Sequence, residues 1–238
     1  MCNQQRTAGI DEGNVLGAVI GDILPLAIGI AISPIPIIAA ILMLLSPKAK
    51  GTSVGFLVGW LLGIVVAVTV FTLLSSIIPE QGPDASNPIA GWIKIILGVL
   101  LLLLAARQWR SRPKPGEEPS LPKWMSAIDS MNAGRGLGLG FALSAVNPKN
   151  LLLAAAAGVV IGTGGLTVGE STIVIVVFTV IAGMTVAGPV IAYLVAAKRM
   201  AGPLESLRGW LVRNNATVMA VLLLVIGVVV IGKGIGSF

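Results

Sequence analysis

The chain has 238 residues, 55% of them hydrophobic and 11% charged, with a mean hydropathy of +0.96. Soluble domains carry roughly 25% charged residues, so this composition excludes a single water-soluble core and predicts an integral membrane protein. With no His and one Cys, Cys2, histidine metal sites, thiolate zinc sites and disulfides are excluded; the net charge of +6 is assigned to basic loops rather than to nucleic acid binding.

The N-terminal MCNQQRTAGIDEGN is polar and acidic, so no cleavable signal peptide is expected. Six apolar segments follow, at about 16–45, 52–78, 88–108, 136–162, 171–197 and 215–235. Each can cross ~30 Å of hydrocarbon as a helix, and closed barrels would need short alternating strands instead. Segment one holds Asp22, a candidate for proton coupling, and then SPIP, in which Pro34 and Pro36 are expected to break the helix near its middle. Lys48 and Lys50 form a basic first connection. Segment two opens on Gly51, Gly55, Gly59 and Gly63, a small-residue ladder for close helix approach, within the bundle or across a dimer.

The second connection holds Glu80 and Asp84 and no base, and Lys94 is placed near the outer interface. The third connection is long and basic, with Arg107, Arg110, Arg112, Lys114, Lys123 and Arg135, and its RPKPGEEPSLPK stretch reads as a linker. Trp124, Ile128 and Met131 are spaced as an amphipathic stretch on the inner membrane surface, or as plain loop packing. Gly134, Gly136, Gly138 and Gly140 lead into segment four, which NPKN interrupts. The fourth connection holds Glu170 and no base, Gly188-Pro189 is expected to kink segment five, and the fifth connection carries Lys198, Arg199, Arg208 and Arg213. Basic and non-basic connections alternate, so the basic ones are expected in the cytoplasm and both termini outside. Trp92 on one side and Trp109 and Trp210 on the other fit aromatic belts.

The halves resemble each other. GIAIS at Gly29–Ser33 recurs as GFALS at Gly140–Ser144, 111 positions later, and prolines follow in both. Three spans per half would invert the second relative to the first, a recurrent build of secondary transporters. The expected organisation is a first three-helix repeat over 1–110, a linker over 111–130 and a second repeat over 131–238, with helices one and four broken. Broken helices in matching positions point to a transport site, because free backbone groups are tolerated only where protein or a water-filled cavity satisfies them. Lys149 adds a charge costing at least ~2.5 kcal/mol at mid-membrane, so it either faces the interior or snorkels. Asn147 and Asn150 offer amide donors and acceptors beside it.

SPIPIIAAILMLLSPKAKGTSVGFLVGW, the NPKN segment and PKWMSAIDSMNAGRG together resemble the GAP or Sap family, glycolipid- and sulfolipid-addressing proteins of mycobacteria and related actinobacteria, within the LysE superfamily of exporters. The resemblance covers nearly all of the chain. It implies a bacterial plasma-membrane protein of two inverted three-helix repeats, outward efflux of envelope lipids, and homodimers. It puts the family signatures on Ser33, Pro34 and Pro36 and on Asn147, Pro148 and Lys149.

The expected function is therefore export or flipping of an anionic amphiphile by alternating access. Lys149, Asn147, Pro148, Asn150, Ser33, Pro34, Pro36 and Ser144 would line the site, half-helix N-termini would aid anion binding, and membrane lipids would be the partners. No cofactor and no metal is expected, and no nucleotide motif of the P-loop type is present. The alternatives are a LysE-type exporter of amino acids or ions, and an accessory subunit of a lipid-export machine. An enzyme is disfavoured, since no His and no paired intramembrane carboxylates are available for acid–base work.

Overall fold

A computed structural model describes residues 2–77, 87–113, 125, 128 and 130–238. Glu80, Asp84, Lys114, Lys123, Trp124 and the Pro-rich linker lie outside the described residues. Regular structure among those described is helical throughout: α1 (Cys2–Ala31), α2 (Pro34–Leu45), α3 (Ala49–Ser75), α4 (Pro88–Arg110), α5 (Ala133–Ala145), α6 (Pro148–Gly162), α7 (Val168–Ala197) and α8 (Arg199–Ile235). Of these, α3, α4, α7 and α8 are each long and apolar enough to span a membrane. The apolar part of α1 (Val15–Ala31) with α2, and α5 with α6, pass the same test only as pairs, bent by 50° and 60°. The chain is thus a multi-pass membrane protein with four continuous spans, or six when each bent pair counts as one.

The outward side chains fit that setting. Leu103, Val180 and Leu224 are each more than half exposed, as a lipid-facing belt requires and a water-facing one does not. The core lies between the helices, with Ile23, Ile30, Ile38, Ile41, Phe56, Trp60, Leu153 and Phe178 fully buried.

Two glycine seams bring helices into backbone contact. A methyl group at Gly59 would strike the Leu137 carbonyl of α5, and Gly55 and Gly63 meet Ala133, Phe141 and Ser144 of the same helix, while Gly51 has only the Ala133 side chain near it. The ladder is used inside the bundle, and α5 returns the fit at Gly136 and Gly140. The second seam, between α4 and α8, pairs Gly91 with Gly234 and Gly98 with Gly227, spaced by seven residues on each helix.

Two local expectations are corrected, and one open alternative is resolved. The fifth connection is not a loop: α8 starts at Arg199, so Arg208 and Arg213 lie on a helix that extends below the apolar stretch. Its first turns lack apolar periodicity, and an Arg208–Glu205 pair one turn apart lies there instead. The non-helical residue lies at the end of α7, at Ala196, seven positions beyond Pro189, which sits inside the helix. Of the two readings of the stretch around Ile128, plain packing is the one its described residues fit: Ile128 is 2% exposed, and the Met131 carbonyl accepts a hydrogen bond from Thr52.

Candidate functional site

Both breaks follow from local chemistry. Prolines at positions 34 and 36 have no N–H, so α2 cannot continue α1, and Ser33 sits between them in extended conformation. At the second break Pro148 opens α6 and Asn147 caps it, its side-chain oxygen accepting from Lys149 N–H at 3.1 Å. The aligned quartets are Ala31-Ile32-Ser33-Pro34 and Ala145-Val146-Asn147-Pro148, 114 positions apart. Ser33 and Asn147 thus hold the N-cap positions at the two breaks, whereas Ser144, which the 111-residue offset sets against Ser33, lies inside α5.

The breaks meet through Lys149. At the end of α1 the Ser33 N–H turns to the Ala31 carbonyl, which leaves the Gly29 carbonyl without its usual partner four residues on. Lys149 Nζ donates to that carbonyl at 2.7 Å and to Ser33 Oγ at 3.1 Å. Its side chain is buried, and an ammonium at a helix C-terminus is also favoured by the helix dipole. Thr185 Oγ1 of α7 donates to the Ala31 carbonyl beside it. Ser33 makes no side-chain cap to α2, since its hydroxyl is engaged by Lys149.

A cavity of about 260 Å³ opens at this junction. Ser33, Ile35, Asn147, Pro148 and Lys149 line it from the breaks, Leu104, Arg107 and Gln108 from α4, and Met219 and Leu223 from α8. As an ammonium Lys149 has three donors, of which these two bonds use two.

The other expected site residues sit elsewhere. Ser144 is buried, bonds back to the Gly140 and Phe141 carbonyls and packs against Gly63. Asn150 is fully buried and its Nδ2 donates to the Leu143 carbonyl at 2.9 Å, fastening α6 back onto α5 across the break. Pro34 and Pro36 are buried and shape the break without lining the cavity. Arg107 was read from the sequence as part of a basic connection and Gln108 was not singled out; the available signal was that 104, 107 and 108 share one helix face. Among the described residues no three of His, Cys, Asp and Glu gather as a metal site.

At the opposite end of the bundle the described helices are joined by an ion pair. Lys233 of α8 donates to an Asp22 carboxylate oxygen at 2.7 Å and to the Asp22 carbonyl at 3.0 Å. Lys94 of α4 donates to Ser237 Oγ at 3.2 Å. The space lined by Asp22, Lys94 and Lys233 is about 10 Å³, at the lower limit for one water molecule.

A family model described as Sap, sulfolipid-1-addressing protein, matches residues 23–236. The chain belongs to this family. The match takes in both breaks, Lys149 and every residue lining the cavity. No curated protein and no solved structure matches the chain.

Proposed function

We propose that this member of the sulfolipid-addressing family moves an anionic lipid across the plasma membrane, with the headgroup passing through the Lys149 cavity. The observation that carries the reading is a buried lysine joining two membrane-embedded breaks and lining a cavity that, among the described residues, has no carboxylate. A desolvated cation in such a place is a default mark of a substrate path. The family description names a sulfolipid, whose headgroup carries the matching charge.

The volume decides how much of a lipid enters. Pockets that engulf drug-sized ligands run to roughly 300–1,000 Å³. At about 260 Å³ this cavity takes a headgroup and leaves the acyl chains in the bilayer. The same volume suits a small anion, which is the second reading.

Alternating access between inverted repeats is part of the proposal. The matching quartets at the breaks support it, as does the reciprocal glycine packing of α4 and α8, the third span of each half. The orientation we adopt puts the Arg107 end in the cytoplasm and both termini outside, following the loop charges. The energy source is then an ion gradient or a partner, and the protein acts without chemistry on its substrate.

The test is lipid flux in proteoliposomes holding the purified chain. Fluorescently labelled anionic and zwitterionic lipids are followed by chemical quenching of the outer leaflet. We expect faster exchange of the anionic lipid, no effect on the zwitterionic one, and background rates with Lys149→Met. Flux of a labelled small anion without lipid flux would favour the second reading. Equal rates for both lipids with Lys149→Met unchanged would refute the proposal.

A further inference from the structure

The cavity has two cationic points that differ in depth. Lys149 is buried at the breaks, whereas Arg107 is exposed near the end of α4. Leu104, one turn deeper on α4, continues the same lining face toward the apolar interior, and Gln108 adds an amide next to Arg107. Three arginines gather near this end of α4, but their roles separate. Arg112 lies over the Trp109 ring, 3.2 Å from its centroid, and donates to the Trp109 carbonyl. Arg110 does not line the cavity, while Arg107 does. Among the described residues the ion pairs are Arg208–Glu205 and Lys233–Asp22, so no described acid neutralises Arg107. Among the described residues the two cations thus share a cavity whose lining holds no carboxylate, and an arginine fork is suited to two oxygens of a phosphate, sulfate or carboxylate.

We infer that Arg107, assisted by Gln108, is a second anion-binding point at the mouth of the Lys149 cavity, so that the protein selects headgroups bearing two separated anionic groups over headgroups bearing one. This rests on the transport reading and deepens it by naming the substrate class. The deep group meets Lys149 and Ser33. The shallow group meets the Arg107 guanidinium, which a lysine would replace only in part because it lacks the planar fork.

Phosphatidylinositol and its 4-phosphate are a matched probe pair, differing by one phosphate on the headgroup. Binding of each to the full chain in nanodiscs is measured by native mass spectrometry. The wild type should prefer the 4-phosphate by about tenfold or more, as expected for one charge-assisted contact. Arg107→Gln should remove that preference while changing affinity for phosphatidylinositol less than about threefold, and Arg107→Lys should restore part of it. Lys149→Gln should weaken binding of both lipids. Because Arg107 is exposed, these variants at position 107 should fold normally, which gel filtration checks. A wild type without the preference, or Arg107→Gln with the preference intact, overturns the inference. Flux on the same preparations separates the two claims: preference present and lost with Arg107→Gln, but no flux of either lipid, supports the two-point site and removes the transport reading.

Discussion

The two ends of the bundle each hold buried or half-buried lysine, yet they are built differently. At the Arg107 end, Lys149 is matched only by a carbonyl and a hydroxyl, and a cavity of about 260 Å³ stands beside it. At the other end, Lys233 has a full counter-charge in Asp22, and the space around them shrinks to about 10 Å³. A paired lysine closes helices against each other, whereas an unpaired one keeps affinity in reserve for an anion. On the transport reading proposed above, this contrast corresponds to a carrier open on one side and latched on the other.

The same substitution at both lysines sharpens that contrast. Lys149→Met should lower anionic lipid flux by about 100-fold, to background, because the Lys149 ammonium is what recognises the substrate in the account given above. Lys233→Met should alter flux by no more than about threefold, since it loosens a latch without touching the cavity. Similar losses at both positions, measured in the same vesicles, would erase the distinction between the two ends.

Asn150→Leu acts on the scaffold of the open end. It leaves the Leu143 carbonyl without its side-chain donor at the α5–α6 break, and we expect a loss of about 1–3 kcal/mol in thermal or denaturant unfolding. The smallest effect belongs to Asp22→Asn. The Lys233–Asp22 side chains are 26% and 50% exposed, so screening limits the pair to less than about 1 kcal/mol of stability. Its effect should be seen instead as faster labelling of residues at the latched end by a water-soluble reagent.

Much of this arrangement was legible in the sequence, and the reasons are local. Proline writes a helix break into any chain, so SPIP and NPKN gave both bent pairs at nearly the right residues. The small-residue ladder on α3 marked a close approach, although α5 as its partner needed coordinates. Partners set by distant backbone were not legible. The Gly29 carbonyl that receives Lys149 carries no side-chain signal, and Lys233 gained meaning only from Asp22, 211 positions away. The offset of 111 residues matched similar apolar letters in α1 and α5, whereas the breaks align at 114, because apolar composition tolerates a slip that capping geometry does not. The polar start of α8 was hidden for a related reason: apolar periodicity marks where a helix is greasy, not where it ends.

One labelling experiment addresses the open cavity and the latched end together. Ile35 lines the cavity and its side chain makes no hydrogen bond, so Ile35→Cys in a Cys2→Ser background places a thiol there with little disturbance. Vesicles of known and opposite orientation are treated with a membrane-impermeant thiol reagent. Rapid labelling from the Arg107 side, slow labelling from the Asp22 side, and protection by an anionic lipid that Lys149→Met abolishes are the predicted results. Equal labelling from both sides, or none from either, would contradict a cavity open at one end and shut at the other.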